Sequence, residues 1–105
     1  MSLDYRIDLH DQVAVLRLQG QIDREAVAVL EAAYTAAAQR GASVVELDFA
    51  AVEYINSTGI ALIVGLLGKA RSQGRTVRAR GLSDHYQHIF EITRLSDFIE
   101  IVAPV

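Results

Sequence analysis

Two hydroxyls and a glycine stand side by side at Ser57-Thr58-Gly59, directly after Asn56 and at the head of a segment with helical periodicity. A helix start is where such residues can do chemistry. The first N–H groups of a helix have no intrahelical partner and lie at the positive end of its dipole, so an anionic group is stabilised there. A phosphate on Ser57 would add roughly −1.5 to −2 charges and three acceptor oxygens without unfolding the helix it sits on. The same residues have a plainer use, because Asn56, Ser57 or Thr58 can each serve as an ordinary N-cap. Local chemistry leaves both uses open.

The helix that follows narrows the choice. A repeat of 3.6 residues puts Ile60, Ile63, Val64 and Leu67 on one face, which is expected to be the core, and leaves Thr58, Leu62, Gly65, Leu66 and Lys69 on the opposite side. Two leucines, Leu62 and Leu66, are then expected to face outward. An exposed apolar stripe on a small domain marks a protein contact, and Gly65 would let a partner approach the backbone closely, although singly exposed leucines are also ordinary.

Other constellations carry less. Glu46 and Asp48 share one strand face at a spacing that paired acid and base carboxylates could use, but no nucleophile or cation is evident beside them, and solvated or capping carboxylates are expected. His85 and His88 lie three apart on a helix, with no carboxylate or thiolate at a fitting interval, so a polar helix face is expected there and no metal. The run Gly65 to Ala70 loosely resembles a phosphate loop, yet Ile63 stands where its first glycine belongs and Ala70 where its hydroxyl belongs. Arg71, Arg75, Arg78 and Arg80 form a local basic cluster that could face a nucleotide, an acidic partner or only water, with solvation the default expectation. No set of nucleophile, base and orienting group can be assembled, so the chain is not expected to be an enzyme or to hold a cofactor.

The elements that must position Ser57 are legible in outline. With 105 residues, 51% of them apolar, the chain has material for one domain spanning residues 1–105. Tyr5, Ile7 and Leu9 alternate with Arg6, Asp8 and His10 as in a half-buried strand, and His10-Asp11-Gln12 turns into a second strand, Val13 to Leu18, broken by Gly20. Asp23 is expected to cap a helix running to about Arg40, with Val27, Leu30, Tyr34 and Ala37 on its buried face. A central strand over 43–49 is followed by a connector, Ala50 to Asn56, and by the helix from Ser57 to about Gln73. A short strand at Val77 to Arg80, a helix capped by Ser83, and a final strand or packing tail over Phe98 to Val102 complete the chain, whose one proline is Pro104. The order predicts an α/β fold: a mostly parallel central sheet with an antiparallel edge strand and helices packed against it.

Composition excludes several function classes. A net charge of −3 offers no basic footprint for nucleic acid, and the absence of cysteine removes thiolate chemistry and disulfides. The start of the chain lacks the layout of a secretory signal, and the longest apolar run, Ile60 to Leu67, is far short of the roughly 20 residues a membrane span needs. A cytoplasmic protein without direct nucleic-acid or membrane contact is expected.

The stretch Val52 to Leu67, V-E-Y-I-N-S-T-G-I-A-L-I-V-G-L-L, resembles the signature of bacterial STAS-domain anti-sigma factor antagonists. In that family an acidic residue, a serine, a serine or threonine, and a glycine open the second helix. Gly20-Gln21-Ile22-Asp23 resembles the family's G-E-[LI]-D turn, and Gly81-Leu82-Ser83 with Ile89 to Leu95 resembles its last helix and approach to the C-terminus, so the likeness covers nearly the whole chain. The resemblance implies a single STAS-like domain. It implies that Ser57 is phosphorylated by a partner that is both anti-sigma factor and serine kinase, that the unmodified form binds this partner, and that a phosphatase restores binding. The surface so implied comprises Asp23, Asn56, Ser57, Thr58, Gly59, Leu62 and Leu66. Two departures stand out: Asn56 where the family commonly has aspartate, and Gln21 where it has glutamate, each a loss of charge without a loss of shape. The other reading of the same resemblance is a STAS scaffold or accessory subunit of a larger signalling or transport complex, in which Ser57 is not switched.

Overall fold

In the computed structural model, which describes residues 2–102, strand β1 (Leu3–His10) turns back through Asp11 and Gln12 into β2 (Val13–Ile22). A 3-10 turn (Arg24–Ala26) leads into α1 (Val27–Gln39), followed by β3 (Val44–Ile55), α2 (Ser57–Ser72), β4 (Thr76–Arg80) and α3 (Asp84–Ile92). A second 3-10 turn (Leu95–Asp97) precedes the short strand β5 (Glu100–Ile101). Pro104 lies outside the described residues.

The strands stand in sequence order, β1 antiparallel to β2 and the rest parallel. With right-handed crossovers, parallel neighbours taken in order put every connecting helix on the same side of the sheet. One sheet face is therefore the core and the other stays open. Leu16, Leu18, Val45, Leu47, Phe49, Val77 and Ala79 fill the covered face with Leu30, Tyr34, Ile63, Leu67 and Phe90 from the helices. Phe90 of α3 meets Phe49 edge-on at 6.0 Å between ring centres.

Two strands run longer than the sequence suggests. Gly20 does not break β2, which continues to Ile22, and the expected connector Ala50 to Asn56 is mostly strand, since β3 continues to Ile55. The reason is a pair of register shifts: Arg17 faces Asp48 but Gln19 faces Ala51, and Gly20 faces Val52 but Gln21 faces Tyr54. The surplus residues of β3 bend it and raise its twist. The Asp48 carboxylate holds the first irregularity by accepting from the Ala50 N–H at 2.9 Å. Gly20 sits at φ +113°, and a Cβ there would strike the Ser2 carbonyl. Glycine thus continues the strand where another residue would be strained. At the chain's other end, Phe98 is exposed rather than part of a strand, and the Arg94 αL turn feeds a 3-10 turn instead.

The open face corrects the expectation of solvated charges. Glu46 and Asp48 are buried, and cations do lie beside them. Glu46 is held by Arg80 Nε at 2.9 Å and Arg78 Nη2 at 3.3 Å, while Arg17 spans Asp48 at 3.2 Å and Asp8 at 2.8 Å. Parallel register places Arg78 beside Glu46 and Arg80 beside Asp48, a juxtaposition invisible along the chain. The hydrogen bond from Arg17 holds the Asp8 carboxyl below its ordinary range. Arg75 is likewise engaged, bonding the carbonyls of Ala42 and Ala38. Replacing Glu46 by Gln removes the only carboxylate paired with Arg78 and Arg80 among the described residues. The expected cost is about 1–2 kcal/mol, less than for a fully buried pair because both arginines reach solvent, read as a lower urea midpoint at unchanged slope.

Candidate functional site

The ends of β2 and β3 deliver the site. Ile22 and Ile55 are register partners, the Asn56 N–H donates to the Ile22 carbonyl at 3.2 Å, and α2 begins at the next residue. Asn56 is extended, at φ −93° and ψ −178°, and its Oδ1 accepts from the Gly59 N–H at 2.8 Å while its carbonyl accepts from Ile60 at 2.9 Å. Asn56 is thus the N-cap. Of the three residues the sequence offered for that role, it alone takes it, and Ser57 and Thr58 are left exposed at the first two helical positions.

Neither the Ser57 nor the Thr58 hydroxyl has a hydrogen bond to protein among the described residues. Their own N–H groups belong to the first turn, which lacks intrahelical acceptors. Replacing Asn56 by Ala should cost about 1 kcal/mol by removing the cap. A thermal midpoint lower by roughly 4–8 °C, measured by circular dichroism, is the expected reading. An Asn56→Asp variant keeps the acceptor and should restore it.

Gly59 is buried beneath this turn, and a Cβ on it would run into the Ile22 carbonyl. The glycine is therefore a requirement of close approach: α2 rests its first turn on the backbone of β2. Asp23, one residue past Ile22, is half-buried and its Oδ1 accepts from the Glu25 N–H at 2.9 Å, so it caps the 3-10 turn before α1 and not the expected long helix, which begins only at Val27 with Ala26 as an N-cap that makes no side-chain bond. Tyr86 of α3 accepts from the Ile55 N–H at 2.9 Å and fixes the end of β3 from the opposite flank. Exposed Tyr54 stands beside it.

Five of the seven expected surface residues, Asp23, Asn56, Ser57, Thr58 and Gly59, thus come together where β2 and β3 end. Leu62 lies half-buried one turn further along, in a groove of about 240 Å³ between α1 and α2. Leu66 is a correction: it is 8% exposed and forms the floor of that groove rather than an outward ridge. Val64, assigned to the core by periodicity, is 49% exposed. The buried arc of α2 is Gly59, Ile63, Leu66, Leu67 and Ala70, rotated by about one residue from the expected face. The helix packs against α1 as well as the sheet, and the α1 contact draws Leu66 in.

Sequence reasoning missed the wall that α1 supplies. Val27, expected to be buried, is 41% exposed and lines the groove with Leu30, Glu31 and Tyr34. Opposite them are Gly65 and Lys69, whose Nζ lies 5.7 Å above the Tyr34 ring. Nothing in the linear pattern of either helix says that the other is its neighbour. A wider groove of about 600 Å³ lies on the far flank of α2, where Val64 and Phe98 are exposed and Arg71 sits 5.5 Å above the Phe98 ring. No three His, Cys, Asp or Glu side chains are grouped for a metal ion among the described residues, His85 and His88 included, and no helix is long and apolar enough to cross a membrane.

Comparison with known proteins bears on this arrangement. A family model described as "Mlab, STAS domain" matches residues 5–103. The chain belongs to the STAS domain family. This STAS domain is similar to the anti-sigma-B factor antagonist of Staphylococcus epidermidis, with 29% identity over 101 residues, 96% of this chain and 94% of that protein. Among solved structures it resembles the anti-sigma factor antagonist SpoIIAA in its unphosphorylated form, with a TM-score of 0.73, 16% identity, and coverage of 96% of this chain and 89% of that one. It also resembles the Bacillus cell fate determinant SpoIIAA in its phosphorylated form, with a TM-score of 0.69, 19% identity, and coverage of 94% and 91%. At these identities the solved structures speak for the fold alone, which is the five-stranded mixed sheet with three helices described above.

Proposed function

We propose that this STAS domain is an anti-sigma factor antagonist whose docking surface is the mouth of α2 with the adjoining α1–α2 groove, and that phosphorylation of Ser57 closes that surface. The observation that carries the reading is the exposed, unbonded Ser57 hydroxyl at the first position of α2, left free because Asn56 supplies the cap. The partner is an anti-sigma factor with serine-kinase activity. It transfers the terminal phosphoryl group of ATP to Ser57 Oγ, the hydroxyl proton leaves, and ADP is released. A phosphatase hydrolyses the ester with water and restores the serine. The likeness to a named anti-sigma-B factor antagonist along 96% of the chain supports the role. That SpoIIAA is known both with and without phosphate on a similar fold supports a switch that acts on the surface rather than on folding.

In this arrangement Asp23 and the Thr58 hydroxyl contact the partner beside Ser57, and Leu62 reaches it from the groove. Leu66 supports Leu62 from below. The chain itself performs no catalysis and binds neither nucleic acid nor membrane, and it works in the cytoplasm.

Intact mass after incubation with the cognate kinase and ATP tests the proposal. One phosphoryl group is expected on the wild type and none on Ser57→Ala. An unmodified wild type, with a kinase active on its own substrate, overturns it. That outcome favours the second reading, an accessory subunit of a larger complex, which Asn56 supports by leaving no carboxylate beside the hydroxyl.

A further inference from the structure

We propose that two copies of this chain associate edge to edge through β1, antiparallel and with Ile7 on the two-fold axis, so that their sheets run on as one. Among the described residues β1 pairs only with β2, and its other edge is unpaired from Leu3 to His10. Its register with β2 is unbroken from Leu3 to His10, and the sequence L-D-Y-R-I-D-L-H contains no lysine and no proline. Bulges, lysines and prolines keep many edge strands from pairing, and β1 has none of them; its charges, Asp4, Arg6 and Asp8, are of both signs and can pair with each other across a two-fold axis.

The direction of the backbone groups limits the possible registers. The Gln12 carbonyl accepts from the Val44 N–H at 3.1 Å, so the even-numbered residues at the start of β2 direct their backbone toward β3. Val13, Val15 and Arg17 then face β1, and their partners His10, Asp8 and Arg6 are bonded to β2. Leu3, Tyr5, Ile7 and Leu9 are left with N–H and C=O groups pointing out from the sheet. A second strand must hydrogen-bond to these, so odd residues can oppose only odd ones and even residues only even ones.

Charge then selects among the few registers left. With Ile7 on the axis, Arg6 lies opposite Asp8 twice, Asp4 opposite His10 twice, and Tyr5 opposite Leu9. With Arg6 on the axis it would face its own copy and Asp4 would face Asp8; with Asp8 on the axis two carboxylates would meet. Placing Tyr5 on the axis pairs Asp4 with Arg6 but overlaps only Leu3 to Ile7. Arg6 is exposed and has no ion-pair partner among the described residues, and Asp8 uses Oδ2 for Arg17, leaving Oδ1 for a second cation. In every allowed register the even pairs are the non-hydrogen-bonded ones, in which opposed side chains come closest, so their charges weigh on the choice.

Sedimentation across a concentration series tests this on the full chain. A reversible dimer that weakens with added salt is expected, and Arg6→Glu, which turns both Arg6–Asp8 pairs into like charges, should raise the dimer dissociation constant by about tenfold or more. The register is read separately, since the described residues include no cysteine. Arg6→Cys protein mixed with Asp8→Cys protein should form a disulfide-linked pair under mild oxidation, their Cα atoms being about 4.5 Å apart, while Arg6→Cys alone should not. Overturning results are a monomer at every concentration up to ~1 mM, a dimer indifferent to Arg6→Glu, or Arg6→Cys linking to itself.

Discussion

Ser57→Asp should weaken binding of the anti-sigma factor by about a hundredfold while leaving the fold intact, because a partner seated over Ser57 must strip water from the new charge. Phosphoserine, with roughly twice the charge, should act more strongly still. The same substitution places an anion in the first turn of α2, where the helix dipole favours it by about 0.3–1 kcal/mol. Stability and affinity are therefore expected to move in opposite directions. This separates surface closure from a damaged fold, since a variant that binds poorly because it is partly unfolded would also melt earlier. Ser57→Ala should bind as the wild type does, because among the described residues the Ser57 hydroxyl makes no hydrogen bond to protein. Calorimetric titration with the anti-sigma factor, alongside thermal melts of each variant, gives both readings. A Ser57→Asp protein that binds with undiminished affinity would refute charge exclusion even with phosphorylation established.

Gly59→Ala is expected to be the most damaging single substitution at the site. Its Cβ meets the Ile22 carbonyl, a backbone atom that cannot rotate away, and the same carbonyl accepts from the Asn56 N–H. Relief requires α2 to lift from β2, which stretches that bond and moves Ser57. The cost should be about 3 kcal/mol, at the upper end for overpacking because the obstacle is main chain. Urea unfolding would show it as a large fall in midpoint. Gly65→Ala is the control: a Cβ at Gly65 meets nothing within 4 Å, so the same change on the same helix should be neutral or slightly stabilising. Equal losses at both glycines would mean that the close approach of α2 to β2 does not matter.

Glycine after two hydroxyls at a helix start was readable from the chain, and so was the resemblance built on it. That this glycine is pressed against Ile22, thirty-seven positions earlier, was not. Likewise β3 reads along the chain as ending at Phe49, because its outer half alternates poorly, yet it continues to Ile55 by pairing with β2 across two register shifts.

What the sequence determined by itself is whatever depends on near neighbours. The hairpin at His10 to Val13, the caps at Asp23 and Ser83, the start of α2 and the alternation of β1 all follow from dihedral preference and from periods of two or 3.6 residues, which act over a few positions. The order of elements then constrained the sheet to be mostly parallel. Only the tertiary structure decided that Leu66 turns inward and Val64 outward, that α1 builds one wall of the groove beside α2, and that Glu46 and Asp48 are neutralised by arginines on other strands. Each depends on which elements lie side by side, and a helix with two buried contacts has a buried arc set by both of them. Periodicity fixes the width of such an arc, but the second contact fixes where it points.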